Sequence, residues 1–298
     1  NINDCLKSLK RRGPDSKGVF QRRINNKRIL LLHTRLSIID LNKNSNQPFF
    51  DDEGSIIFNG MIYNYIELKK DLMAKGVVFK TKSDTEVLLK MMNIYGEKAF
   101  KYLDGMWSMA YYNFKKNQLI LSRDRFGEKP LYYYNNKNGF YFSNSIKALQ
   151  KLSTKKLKFN MNKIEALLKY PDKSIGLNEN SIFENIYQLK SSEYLKISTN
   201  SNKFKKVNFW KLRIKQNKMS FKSASKELKK LLKNTIKTRV RSNVKNSMLI
   251  SGGLDSNTIA SYAKDFSKIK GYSLVSSNKE YDETYLIKKR IFLCMVLI

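Results

Sequence analysis

Histidine occurs once, at His33, and cysteine twice, at Cys5 and Cys294. One imidazole argues against a histidine-based metal centre and against a Ser-His-Asp triad. Two thiols at opposite ends of the chain do not suggest a disulfide framework. No apolar run reaches the roughly 18 residues that a spanning helix needs, so no membrane segment is expected. The opening Asn1-Ile2-Asn3-Asp4 is not a secretory signal and carries no initiator methionine. Acidic residues are also scarce: 25 Asp and Glu face 58 Lys and Arg, for a net charge of +33. A basic balance of this size is one signature of nucleic-acid binding. Here the basic residues are dispersed and accompany an excess of Asn and Ile, as in AT-biased coding, so no nucleic-acid partner is expected. The charge still favours anionic ligands such as ATP and raises self-repulsion.

At 298 residues the chain suits two domains, each able to bury its own core. The most informative stretch is Ser251-Gly252-Gly253-Leu254-Asp255-Ser256. It follows the apolar run Met248 to Ile250 and precedes a helix-like stretch, Asn257 to Phe266. Two adjacent glycines let backbone approach a phosphate closely, and the first helical amides point at it. Ser251 and Ser256 add hydroxyls, and Asp255 could hold a magnesium ion or a phosphate-bound water. A Walker A loop would need Lys after its last Gly. The order here is similar to the pyrophosphate loop of ATP pyrophosphatases, which activate a carboxylate or carbonyl as an adenylate. A serine-capped helix after a glycine turn is the plainer alternative.

The first two-thirds reads as β-rich with a few helices. Short apolar runs at 29–32, 56–58, 107–113, 119–122, 131–134 and 140–143, punctuated by Asn, Gly, Asp and Lys, predict strands. Val87, Leu88, Met91 and Met92 have helical spacing over Asp84 to Tyr95, with Ser83 and Glu86 as a capping-box pair. Ile66 to Leu72 is a second helix candidate. Residues 201–220 are polar and basic and are read as the linker between a domain at 1–200 and one at 221–298. Beyond it, Ser223 to Val240 predicts an amphipathic helix, followed by strand, glycine turn, helix and the strand Gly271 to Val275. That alternation predicts a parallel α/β sheet with its phosphate loop at the carboxyl end of a strand. The apolar tail 291–298 reads either as a buried strand or as a truncated or frameshifted end, and a fragment lacking both ends is expected.

In the first domain, His33-Thr34-Arg35-Leu36-Ser37-Ile38 sets an Arg in an apolar strand, where a carboxylate is its natural partner. Asn59-Gly60 after a strand could direct a side-chain amide and a backbone N–H together as an oxyanion hole, or could be a type I′ turn. Asp84 fits the first turn of a helix. Together with RRGPD (11–15), HTRLSIIDL (33–41), QPF (47–49), FNGMIYNYIEL (58–68), SDTEVLL (83–89), LDGMWSMAYYN (103–113), SRDRFGEKPLYYY (122–134), FSNSIKAL (142–149) and LISGGLDS (249–256), these segments resemble the glutamine-hydrolysing asparagine synthetase family. Tyr281-Asp282-Glu283-Thr284 also looks like that family's acidic segment.

The resemblance implies an α+β N-terminal-nucleophile domain, an αββα sandwich, followed by the start of an α/β adenine-nucleotide-binding domain. It implies a terminal Cys nucleophile that uses its own α-amine as base. Arg35 would bind the glutamine carboxylate, Ile38 backbone would line the pocket, Asn59 and Gly60 would form the oxyanion hole, and Asp84 would bind the amine. ATP would lie on Ser251, Gly252, Gly253, Asp255 and Ser256, with Leu249 and Leu274 beside the adenosine, and Mg²⁺ is implied by the chemistry. Glutamine, aspartate and ATP are the implied partners, asparagine the default product, a cytoplasmic homodimer the implied state. The sequence departs from the family pattern in three ways. The nucleophile is not in the chain, and Cys5 is not a substitute, so the chain alone is expected not to hydrolyse glutamine. Met61 stands where the family usually has Glu. The acceptor-selecting part of the synthetase domain is not in the sequence. Amidation of another carboxylate (sugar, lactam or peptide) and a non-catalytic relative are the alternatives.

Overall fold

A computed structural model describes residues 1–24, 26–153, 156–171, 179–199, 203–216, 218–275, 278 and 282–288. The tail 291–298 and Tyr281 lie outside the described residues. The chain divides into two units, Asn1–Leu212 and Arg213–Ile298.

The first unit contains α1 (Ile2–Leu9), β1 (Ser16–Ile24), β2 (Lys27–Arg35), β3 (Phe49–Phe50), β4 (Gly54–Ile62), α2 (Tyr65–Met73), α3 (Asp84–Tyr95), β5 (Gly105–Asn113), β6 (Gln118–Arg123), β7 (Tyr132–Asn136), β8 (Gly139–Ser143), α4 (Ile146–Ser153), α5 (Met161–Lys169), β9 (Tyr187–Gln188), β10 (Glu193–Ser198) and β11 (Phe204–Asn208). Six strands form one sheet in the order β11-β10-β6-β5-β4-β3, and β1-β2 and β8-β7-β9 form two smaller sheets. Successive strand side chains point to opposite faces. Met109 and Tyr111 of β5, with Ile56 and Phe58 of β4, therefore meet Val87, Leu88, Met91 and Met92 of α3 in one core. Ala110 and Tyr112, with Leu119, Leu121, Leu195 and Ile197, face Leu31 of β2 and Tyr133 of β7 in a second core. Leu32, on the opposite side of β2 from Leu31, packs with Cys5, Leu9 and Ala148 of α1 and α4. The layers are thus helices, sheet, sheets, helices, the αββα order expected.

The six-stranded sheet is apolar on both faces, so its central strands read as nearly continuous apolar runs rather than alternating ones. β11 is the outer strand of that sheet and falls at 204–208, inside the stretch read from sequence as linker. Its lysines hid it. Phe204 packs against Tyr133 and Phe140, while Lys205 and Lys206 meet Lys196 and Leu195 across the ladder. The Ser83 cap forms, with the Thr85 amide donating to Ser83 Oγ at 3.1 Å. Glu86 does not complete the capping box, because its carboxylate accepts from the amides of Lys80 and Thr81 at 2.9 and 2.7 Å.

The second unit contains α6 (Phe221–Arg239), β12 (Asn246–Leu249), α7 (Leu254–Ala263) and β13 (Ile269–Tyr272), with β12 and β13 parallel. That is the strand–helix–strand unit predicted, with the helix beginning at Leu254 instead of Asn257 and the second strand ending at Tyr272, so that Leu274 lies beyond it. Among the described residues no helix is long and apolar enough to cross a membrane.

The SRDRFGEKPLYYY stretch is a loop built on one carboxylate. Asp124, fully buried, accepts from the amides of Trp107, Phe126, Glu128 and Lys129 at 3.0–3.2 Å. Asp124→Ala leaves several buried donors unmatched and is expected to lower the unfolding free energy by about 3 kcal/mol, read as a shift in urea midpoint. A loss below about 1 kcal/mol would show that the loop is held by other contacts.

Candidate functional site

In the first unit Arg35, Ile38, Asn59, Gly60 and Asp84 all line one cavity of about 860 Å³. Each comes from a different constraint. Arg35 ends β2 and is 5% exposed, so its donors must be matched. The loop after it folds back to do so. Nη1 donates to Asn42 O at 3.1 Å and Asn46 Oδ1 at 3.0 Å, and Nη2 donates to Ile39 O at 3.0 Å and to Asp40 O. Asp40, in the left-handed region at φ 53°, ties that loop to the next one. Its carboxylate accepts from Ser45 Oγ at 2.7 Å, Asn42 N at 3.1 Å and Lys82 N at 2.8 Å. Burial pushes the Asp40 carboxyl up, and these hydrogen bonds outweigh it and hold the group below its usual range. Asp15 of the RRGPD turn clamps the same loop by accepting from Ser37 N at 2.7 Å.

Asn59 and Gly60 lie inside the continuous strand β4, opposite Ser108 and Trp107. The type I′ turn is therefore excluded. Gly60 is required by close approach, because a Cβ there would sit 2.0 Å from Met106 O. The side-chain nitrogen of Asn59 is buried without a hydrogen-bond partner. An unmatched buried donor costs about 1–3 kcal/mol, so the fold keeps this one against its own stability.

Asp84 opens α3 and accepts from Ile62 N at 3.1 Å. Its pKa is raised to about 6, chiefly by burial, against the lowering effect of backbone amides and Arg35. Met61, 8% exposed, packs with Ile39 and Tyr63 and adds an apolar side chain to the lining of the same cavity. Cys5 sits in α1, 1% exposed, its thiol pushed up to about 11 by burial, and is an inert core residue.

Two residues of this cavity were not singled out from sequence. His33 crosses the sandwich, Nε2 lying 3.2 Å from Phe58 O. Burial lowers its pKa to about 4, so it is neutral with Nε2–H donating, and its Nδ1 is buried without a partner. Gln47 accepts from Phe58 N at 2.6 Å and donates to Thr85 Oγ1 at 3.3 Å, joining β4 to α3. The QPF segment marked Gln47, but periodicity gave no role for it. The cavity also takes consecutive residues 27–30 and 32–36 from β2 and its end, and 137–144 around β8. Side-chain contact alone would alternate, so it is the backbone edges of β2 and β8 that face the cavity.

In the second unit Ser251–Gly253 form the turn before α7, and Leu254–Ser256, read from sequence as part of that turn, are already its first residues. Ser251 and Ser256 hydroxyls are 3.1 Å apart, and Gly253 N donates to Ser251 Oγ at 3.2 Å. Asn257 Nδ2 donates to the carbonyls of Ser251 and Gly253 at 2.9 and 2.6 Å. Asp255 is exposed. Leu249 and Leu274 are 74% and 91% exposed. Neither Asn257 nor the Gly252 partner, Glu283, was assigned a role from sequence. Among the described residues no group of three or more His, Cys, Asp and Glu is placed to hold a metal. Asp255, one exposed carboxylate beside this turn, is the kind of ligand that Mg²⁺ uses, one or two carboxylates together with substrate phosphates.

Residues 1–210 match the family model described as a glutamine amidotransferase domain, and residues 227–291 match that described as asparagine synthase. The chain is 35% identical to putative asparagine synthetase (glutamine-hydrolyzing) 2 of Methanocaldococcus jannaschii, over 96% of this chain and 58% of that protein. It is 33% identical to asparagine synthetase (glutamine-hydrolyzing) 1 of Bacillus subtilis, over 97% of this chain and 44% of that protein. The chain thus spans about half the length of these curated relatives. The solved structure of glutamine phosphoribosylpyrophosphate amidotransferase from B. subtilis, complexed with ADP and GMP, aligns with a TM-score of 0.51 and 14% identity, covering 96% of this chain and 66% of that one. The likeness is one of fold.

Asn59→Leu removes the unmatched donor while keeping the shape. The thermal midpoint of the variant is expected to equal or exceed that of the parent. A clear fall would show that the amide has a structural partner.

Proposed function

The chain belongs to the glutamine-hydrolysing asparagine synthetase family, and on that premise we propose that the protein is a glutamine- and ATP-dependent ligase that converts aspartate to asparagine. The observation that carries the glutaminase half is that Asn59, whose side-chain nitrogen has no hydrogen-bond partner, lines the same cavity as Gly60, Arg35 and Asp84. A donor kept unpaired at a cost is suited to an oxygen whose charge grows during reaction.

Glutamine enters with its ammonium toward Asp84 and its carboxylate toward Arg35, where it exchanges with one of the loop acceptors that the guanidinium now holds. With Met61 in place of a second acid, Asp84 alone balances the ammonium. The carboxamide oxygen meets Asn59 Nδ2 and the Gly60 amide. The nucleophile that the family resemblance implies is a terminal cysteine, which is not among residues 1–298, and the cavity between the β2 and β8 edges has room for a segment that carries it. Its own α-amine takes the thiol proton, the sulfur adds to the amide carbon, the α-ammonium returns that proton to the nitrogen as the C–N bond breaks and ammonia leaves, and water hydrolyses the thioester to glutamate.

In the synthetase half, residues 251–256 hold the ATP phosphates through amides and hydroxyls. Leu249 and Leu274, both exposed, offer apolar contact to the adenine. Asp255 would hold Mg²⁺, which when bound offsets phosphate charge. The aspartate β-carboxylate attacks the α-phosphorus and releases pyrophosphate. Ammonia then adds to the acyl-adenylate and AMP leaves, giving asparagine.

The nitrogen source separates the two halves. In the full-length protein Asp84→Asn should raise KM for glutamine about 10- to 100-fold and leave ammonia-dependent synthesis intact. Asp255→Asn should abolish pyrophosphate release with either source. Loss of both activities in Asp84→Asn would sink the assignment.

The raised Asp84 pKa gives a second expectation. The ionised carboxylate binds the ammonium, so KM for glutamine should be flat above about pH 6 and rise as pH falls below it, roughly tenfold per unit. A profile unchanged by Asp84→Asn would assign the titration elsewhere.

A further inference from the structure

We propose that Glu283 is a built-in occupant of the phosphate loop: its carboxylate holds the Gly252 amide in place of a phosphate and is displaced when pyrophosphate or the ATP phosphates bind. The inference rests on the reading of residues 251–256 as the pyrophosphate loop.

The loop partners described above come from within the loop or from the helix it starts: Ser251 N donates to Ser256 Oγ at 3.3 Å, and Gly253 N to Ser251 Oγ at 3.2 Å. Gly252 differs. Its amide donates to Glu283 Oε2 at 2.8 Å, across 31 residues of sequence. Glu283 is carried on a short segment with its own local order. Thr284 N donates to Asp282 Oδ1 at 3.0 Å, Ile287 N donates to Glu283 O at 2.9 Å, and Ile287 is 6% exposed. That segment lies against the loop backbone. A Cβ on Gly252 would come within 3.0 Å of Leu286 Cβ and 3.4 Å of Glu283 Cβ. Gly252 is thus buried while Ser251, Gly253 and Asp255 are exposed.

A carboxylate oxygen and a phosphate oxygen make the same charge-assisted bond with a backbone amide. A phosphate that takes the Gly252 N–H must therefore replace Glu283, and until it does the two anions repel. The loop is held in an anion-bound form before nucleotide arrives, and the exchange sets its affinity. Glu283 touches the loop and not the reacting atoms, so its effect falls on binding.

The test is calorimetric titration of the full-length protein with inorganic pyrophosphate and, separately, with MgATP. Glu283→Gln keeps the shape and an acceptor for Gly252 while removing the charge, and Glu283→Ala removes both. Both variants should bind pyrophosphate about tenfold tighter than the parent, a difference of about 1.4 kcal/mol. Equal or weaker binding in Glu283→Gln, with a parental circular dichroism spectrum, overturns the proposal and makes Glu283 a clamp that orders the loop. If parent and variants alike bind neither probe, the phosphate-loop reading itself fails.

Discussion

A guanidinium buried at the end of a strand cannot be left unmatched, and much of the first unit's site follows from that requirement at Arg35. Its hydrogens reach Asn42, Asn46, Ile39 and Asp40, which fixes the path of the chain after β2. The return of that loop puts Asp40 against Lys82, two residues before Asp84. The end of β2 and the start of α3 are thus coupled through one short network, although 49 residues separate Arg35 from Asp84 in the sequence.

The other wall is set by sheet packing. β4 is covered by α3 on one face and by the second core on the other, so Asn59 is held by its neighbours rather than by partners of its own amide. Gln47 and His33 both bond to the backbone of Phe58, the residue before it. The position of the Asn59 side chain is therefore inherited from a rigid strand, as the proposed oxyanion role would require.

The layer order, the strand–helix–strand unit of the second half and the residues of the cavity wall were legible because each left a local mark: an apolar run, a glycine pair, or a motif that resembled a family. What stayed hidden was long-range or masked by composition. β1 and β11 carry Lys and Arg on both faces in a chain with a charge of +33, so their alternation drowned in the general basic background. Glu86 looked like half of a capping box and instead closes the loop at Thr81. Glu283 lay within the acidic segment that resembled the family, but its pairing with Gly252 spans two elements. Asn59-Gly60 shows the reverse case, where the local signal for a turn was plain and the nine-residue ladder between β4 and β5 overrode it.

The facing edges of β2 and β8 have a consequence for the life of the polypeptide. Each strand is paired on one side only among the described residues, and an unpaired edge is a template for any extended segment. Whatever strand enters between them joins two small sheets into one. A molecule whose two edges stay open is therefore adhesive, prone to capture a neighbour's extended segment.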